Sequence, residues 1–356
     1  MLSAQCRAHT GARKGFLVSG DARTDGDLEL HRRIDSIVRA AGEHGTGISL
    51  DDLVDLLPES GPTASSDLAS WIRQHPELAR LDSDRAYAPA IEPSGDAQRR
   101  ARAVEYRLAA ERTANGPLAP IRRWIRVLGV TGSTAYGEPE AGDDLDLLLV
   151  TQTGALWVTL AWAFLAFRIR GRPMAGGQPV VPCVNYALDD TQAVKEFVRP
   201  GGFLFAREAL TTRVLLGEPL YRAMLGTAPW MAREIPRLYS RRRLPPPPGG
   251  VPLVAAPMRA LNAVLFLILA TYLQGVGLVR NARLRRQGRP DDVFRTATTL
   301  HRFAFASVRF ERLKAQYGAA TPSVGGSAPI AHDPSSAARD PRSKGPPTQS
   351  PPTPAG

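Results

Sequence analysis

Two aspartates, Asp144 and Asp146, stand two apart at the head of the apolar run Leu145-Asp146-Leu147-Leu148-Leu149-Val150. Strand side chains alternate between faces, so these two project from the same side and can share one or two divalent cations, while Asp143 points the other way. Upstream, the apolar run Val127-Leu128-Gly129-Val130 leads through Thr131 into Gly132-Ser133. A glycine there lets backbone approach a phosphate without a Cβ clash, and the Ser133 hydroxyl and the amides of the turn can donate to phosphate oxygens. Cation and triphosphate would thus meet at one corner.

The arrangement of Gly-Ser, a spacer and Asp-x-Asp resembles the signature of the nucleotidyltransferase superfamily, which includes DNA polymerase beta, the aminoglycoside nucleotidyltransferases and the minimal nucleotidyltransferases. The resemblance implies an α/β (α+β) fold with a mixed sheet and flanking helices. It places Gly132, Ser133 and the neighbouring Tyr136 at the triphosphate, and makes Asp144 and Asp146 the catalytic ligands of a two-ion Mg2+ site. The implied reaction moves a nucleoside monophosphate from a triphosphate to an acceptor and releases pyrophosphate. Such families usually carry a third carboxylate on a later strand, and here the candidate strand Val180 to Leu188 offers Asn185 as the remaining metal ligand. Asparagine can coordinate through its carbonyl but is uncharged and a poor base. Asp189 or Asp190 takes the role if the strand is shorter. Otherwise transfer proceeds without a protein base, or the protein is a catalytically weak nucleotide-binding regulator that contacts nucleic acid through its N-terminal module.

Other reactive side chains weigh less. Tyr136 is placed either to stack on a nucleobase or to pack beside the turn. Cys183, on an apolar strand, reads as an inert core residue. His301 and Trp230 read as core or surface residues of helices, and Arg199, Arg207 and Arg213 as solvated cations within range of phosphates.

The elements that must hold this corner are read from periodicity. The segment 1–26 is expected to be disordered. From 27 to 92, helical patterns over Leu28 to Ala41, Leu50 to Leu57 and Thr63 to His75, then two short strands within Leu78 to Ala88, predict a winged-helix-like module, with either nucleic acid or another protein surface as its contact. The segment 95–240 is expected to hold the nucleotidyltransferase domain: a connecting helix over Gly95 to Ala114, strands at Ile121 to Leu128 and Leu147 to Thr151, a helix at Trp157 to Arg170, the strand at Val180 to Leu188 and helices from Asp190 to Trp230. A Pro-rich linker occupies 241–252, since Pro245 to Pro248 can form neither helix nor central strand. A helical region covers 253–317, with an amphipathic helix over Asp291 to Gln316, and a Pro/Ser/Ala/Gly-rich disordered tail covers 318–356. Within the helical region, 260–279 is apolar and flanked by arginines, which fits a buried helix or, less favoured, a membrane contact.

Composition adds limits. The 356 residues carry a net charge of +11. Lysine occurs only at 14, 195, 314 and 344, so the charge is arginine spread along the chain rather than one nucleic-acid stripe. Cys6 and Cys183 are the only cysteines, which excludes a disulfide framework and fits a reducing cytoplasm. No apolar stretch resembling a signal peptide lies within Met1 to Ala22.

Overall fold

Leu30, Ile34, Ile37 and Val38 recur at helical spacing and line the buried side of helix α1 (Asp25–Gly42) in the computed structural model, which describes residues 25–42, 45–92, 96–169, 173–175, 177–245, 254–289 and 293–308. After strand β1 (Ile48–Ser49), helix α2 (Leu50–Leu56) starts where the Ser49 hydroxyl oxygen accepts the Asp52 N–H at 3.1 Å, the capping its sequence predicts. Helix α3 (Ser65–Gln74) buries Leu68, Ala69 and Ile72 on the same core. Strand β3 (Arg85–Tyr87) pairs antiparallel with both β1 and β2 (Arg80–Asp82), in the order β1-β3-β2.

Helix α4 (Asp96–Asn115) and a 3-10 turn at Ala119–Trp124 lead into β4 (Ile125–Val130), the one-turn helix α5 (Gly132–Ala135) and β5 (Leu145–Thr151). Then come α6 (Leu156–Ile169), the small pair β6 (Met174–Ala175) and β7 (Gln178–Pro179), and β8 (Pro182–Asp189). Beyond β8 run α7 (Asp190–Val198), α8 (Gly202–Thr211), β9 (Arg213–Leu216), α9 (Glu218–Gly226), α10 (Met231–Glu234) and α11 (Pro236–Arg242). The long helix α12 (Ala256–Arg286) precedes the hairpin β10 (Phe294–Thr299) and β11 (Arg302–Ser307).

The architecture is mixed α/β, built on a six-stranded sheet of order β10-β11-β8-β5-β4-β9 in which β5 and β8 run parallel and the other neighbours antiparallel. Both faces of the sheet are covered. Leu145, Leu147 and Leu149 join one core with Leu156, Trp157 and Leu160 of α6, while Leu148 and Val150 join the other core with Phe197, Leu204 and Tyr221. A strand buried on two sides must be apolar throughout, which is why β5 reads as a continuous apolar run rather than an alternating one. The chain divides into two units, Met1–Thr321 and Pro322–Gly356, and every described residue belongs to the first.

Two expectations about elements are corrected. The segment read as helical from Asp190 to Trp230 contains β9, a short edge strand made by pairing with Leu128, Gly129 and Val130 rather than by its own propensity. Where an amphipathic helix is expected over Asp291 to Gln316, residues 294–307 form instead the hairpin β10–β11, and 291–292 and 309–316 lie outside the described residues. Its β10 face alternates half-buried and exposed residues with period two, and β11 pairs with β8 through Ala304↔Tyr186, Phe303↔Ala187 and Arg302↔Leu188. Threonines at 296, 298 and 299 and phenylalanines at 294, 303 and 305 suit a pleated surface with a partner strand at hand. Of the helical region expected over 253–317, the described residues 254–289 hold α12 and 293–308 hold two strands of the central sheet, and the rest lies outside the described residues. The disordered segments expected at the two ends lie outside the described residues except for 25 and 26, and within the Pro-rich linker so do 246–252.

Beyond the shared apolar core, Arg237 makes a fork of hydrogen bonds between the N-terminal elements and the helices behind the sheet. Arg237 on α11 donates from Nη1 to the carbonyls of Val54, at 3.1 Å, and Pro62, and from Nη2 to those of Gly61 and Glu59, at 2.6 and 3.2 Å. Arg241 pairs with Asp55 alongside. Arg237→Ala is expected to lose about 2–3 kcal/mol of stability, read as a lower urea midpoint. Arg237→Lys should recover less than half of that, because one ammonium cannot span the fork of carbonyls that the guanidinium does. Full recovery by lysine would show that charge, not the fork, makes the contact.

Candidate functional site

The turn after β4 is held over the first residues of β5 by strand pairing. Val130 pairs with Leu147 and the Thr131 N–H donates to the Asp146 carbonyl at 3.0 Å, so Gly132 is brought against the Asp146 side chain. Gly132 has a φ of +66°, and a Cβ there would lie 2.8 Å from Asp146 Oδ2. Both facts require glycine. Phosphate access was the reason read from the sequence; the structure adds a second, the close approach of the turn to a carboxylate.

Asp143, which like Asp144 precedes the first residue of β5, closes the spacer. Its Oδ2 accepts the Ser133 hydroxyl at 2.8 Å and the Glu140 N–H at 2.9 Å. The Tyr106 hydroxyl of α4 reaches the Asp143 carbonyl at 2.9 Å and Arg102 donates to the Pro139 carbonyl at 3.0 Å. From the N-terminal sheet, Arg85 forms an ion pair with Glu138, and the Thr46 hydroxyl donates to the same carboxylate. The spacer is thus clamped between α4 and the N-terminal module.

Asn185 reaches the site through a β-bulge. Leu147 pairs with Val184 but Leu148 pairs with Tyr186, so Asn185 is the extra residue, and Val184 and Tyr186 join opposite cores although two apart. Its Nδ2 donates to Asp146 Oδ1, while its carbonyl accepts from Cys183 Sγ at 2.9 Å. The expected metal ligand therefore presents a donor to Asp146, and its oxygen faces the thiol. Asp189 and Asp190 do not replace it. Asp189 pairs with Thr151 at the far end of β5, about 17 Å along the strand from Asp146. There Asp189 caps α7 through the Gln192 N–H and meets His301 Nδ1 at 2.5 Å, and Asp190 accepts from Thr153. His301 sits in the β10–β11 turn rather than on a helix.

A carboxylate that sequence reasoning missed completes the corner. Glu208, from α8, accepts the Tyr136 hydroxyl on one oxygen and lies 3.4 Å from the Gly132 N–H with the other. Tyr136 is engaged on a face too, by the Arg207 guanidinium 4.4 Å from its ring centre, so it packs beside the turn, with that face closed to a base. Nothing at a fixed spacing from Gly132 marks Glu208; only the packing of α8 on the sheet delivers it. Arg213, at the start of β9, lies beside the end of β4, and Arg199 caps the C-terminus of α7. Trp230 is core, donating to the Phe197 carbonyl at 2.7 Å.

The electrostatics follow from this crowding. Burial pushes the Asp146 carboxyl up to about 7, helped by the charges of Asp144, Glu208 and Asp143 and opposed by the Asn185 hydrogen bond. Burial, and then Asp146 and Asp144, push the Cys183 thiol up to about 12, which keeps it protonated and inert. The Tyr136 hydroxyl is raised by burial and then by Glu208. Among the described residues no group of three or more His, Cys, Asp or Glu side chains is disposed to hold a metal ion. Magnesium, however, commonly takes only one or two carboxylates from the protein and the remaining oxygens from phosphates and water. Asp144, exposed and within electrostatic reach of Asp146, together with Asp146 itself, fits that donor set. Against family models, curated proteins and solved structures alike, the chain finds no significant match.

Asp146 gives a test that needs no ligand. In the unfolded chain its carboxyl ionises near the ordinary value of 3.8, whereas in the fold it keeps its proton up to about 7. Stability is therefore unaffected below pH 4, falls between 4 and 7, and carries the whole penalty above 7. Without divalent cations, Asp146→Asn should stabilise the fold at pH 8 by up to roughly 4 kcal/mol, read as a higher thermal midpoint, and leave the midpoint unchanged at pH 4. An equal gain at both pH values would rule out an ionisation penalty at this position.

Proposed function

We propose that the Gly132 to Asp146 corner binds a nucleoside triphosphate with magnesium and transfers its nucleoside monophosphate to an acceptor hydroxyl. The observation that carries this reading is the seating of a left-handed glycine turn against Asp146, with Asp144 beside it, at the junction of β4 and β5. Turn amides and the Ser133 hydroxyl are the groups that would meet phosphate oxygens, Ser133 by exchanging its bond to Asp143. Asp144 and Asp146 would hold the cation, which when bound neutralises the triphosphate and activates the attacking oxygen. The acceptor oxygen bonds to the α-phosphorus as the bond to pyrophosphate breaks, and the acceptor proton passes to water or to a carboxylate of the corner. The N-terminal elements are read as a winged helix used as a clamp on the spacer rather than as a reader of bases. The exposed residues of α3 are Ser66, Asp67, Ser70, Arg73 and Gln74, with one cation among them, where a base-reading helix would need donors and positive charge.

A second reading, a nucleotide-binding regulator that does not transfer, is favoured by one observation. Asn185 already donates to Asp146 and the Gly132 N–H already faces Glu208, so groups that would meet cation and phosphate have partners within the protein. Incubation with each labelled triphosphate and magnesium, with and without cell extract, separates the two: label on an acceptor plus released pyrophosphate supports transfer, and tight binding alone supports the regulator. Asp144→Ala with Asp146→Ala should lower magnesium-dependent triphosphate binding by at least about a hundredfold with the fold intact; unchanged affinity sinks the site assignment under either reading. Glu208→Gln keeps a partner for Tyr136 and removes a negative charge near the phosphate position, so affinity for triphosphate should rise about three- to tenfold. A fall of similar size would make Glu208 a cation ligand instead.

A further inference from the structure

We infer that α12 is a docking helix for an anionic lipid bilayer, lying in the plane of the membrane surface. The helix is apolar all round, a pattern that in a globular protein belongs to a buried helix. Yet of its most apolar 18-residue window only 17% is buried. One side packs on the fold through Leu265, Phe266, Leu269, Ala270 and Leu273. The other side presents Leu261, Val264, Leu267, Ile268, Tyr272, Val276, Leu278 and Val279, which are 45% to 73% exposed. Stepping mostly by three or four, these residues form a continuous stripe, which is more bare apolar surface than the few hundred Å² a soluble monomer ordinarily leaves.

Charge selects the occupant. The helix contains no Asp or Glu, and it carries Arg259 near one end and Arg280, Arg283, Arg285 and Arg286 at the other. A second copy laid along it, in either direction, would oppose arginine to arginine. A bilayer with acidic headgroups complements both features, the stripe entering the acyl boundary and the arginines meeting phosphate.

Hydrogen bonds along the packed side set the orientation. Asn262 Oδ1 accepts the Trp157 N–H at 2.7 Å, Gln274 donates to Thr298 at 3.1 Å, and the Asn281 amide exchanges bonds with both the N–H and the carbonyl of Phe294. Fastened near its start, middle and end to α6 and β10, the helix cannot leave the sheet to cross the bilayer without breaking all three. It lies flat, its outer stripe inserted. This inference is independent of the nucleotide reading.

The test is co-sedimentation of the full chain with vesicles of phosphatidylcholine alone and of phosphatidylcholine with phosphatidylglycerol, alongside light scattering without lipid. Binding to the anionic vesicles, weakened by salt, is expected. Arg283→Ala, Arg285→Ala and Arg286→Ala combined should weaken it about a hundredfold. Leu267→Gln with Ile268→Gln, both at exposed positions and checked by an unchanged melting curve, should weaken it at least tenfold. Equal binding to neutral vesicles overturns the anionic-lipid assignment, and release from cell membranes only by detergent, not by alkaline carbonate, overturns the in-plane one. Absence of binding to either vesicle, or a lipid-free dimer abolished by the Leu267/Ile268 variant, overturns the proposal altogether, the second by assigning the stripe to another copy of the chain.

Discussion

The site depends on placing one carboxylate, Asp146, where three other acids converge and water is largely excluded. Such a group is tolerated only because its surroundings are fixed by backbone pairing: β4 holds the glycine turn over it, and the bulge in β8 turns an amide donor toward it. The Asn185 hydrogen bond lowers the energetic cost of ionising Asp146 without cancelling it. A corner left in that state is poised to accept positive charge, which is the property that a cation-dependent site needs and a purely structural turn does not.

The N-terminal module belongs to the same problem. A spacer of the kind between Ser133 and Asp143 is short, polar and rich in glycine and acid, and has little of its own to hold a shape. Here its shape is imposed from outside, by Arg85 and Thr46 on Glu138, Arg102 on Pro139 and Tyr106 on Asp143. Arg237 closes the circuit on the far side by satisfying one carbonyl of α2 and three in the turn between α2 and α3. The N-terminal elements, through Arg85 and Thr46, and α4, through Arg102 and Tyr106, therefore hold the spacer from two sides. The basic end of α12 is also a neighbour of the corner, since Cys183 feels the charges of both Asp146 and Arg280.

Much of this was legible in the sequence. The apolar run Leu147 to Val150, the Gly132-Ser133 turn, the Asp144/Asp146 pair and the cap at Ser49 are local statements about spacing and backbone freedom, and spacing is what a chain carries with it. Glu208, the bulge at Asn185, the strand β9 and the hairpin β10–β11 were not legible, because each exists only by virtue of a partner far along the chain. Phe294 to Ser307 has residues that serve as helix or strand, and the free edge of β8 decides between them. Glu208 carries no signal of its own, being one glutamate on an amphipathic helix, and it joins the site because α8 packs beside the turn.

What the sequence determined by itself, then, is the local chemistry: two carboxylates at the head of an apolar strand, a glycine turn before them, and a long apolar helix bounded by arginines. Tertiary structure alone decided that Asp146 is crowded by Glu208 and partnered by Asn185, that Asp189 and Asp190 stand at the far end of the strands, and that α12 keeps most of its apolar window out of the core. The physical reason is that alternation and helical spacing act over a few residues, whereas burial, electrostatic crowding and strand partnership are sums over neighbours that only the folded chain brings together.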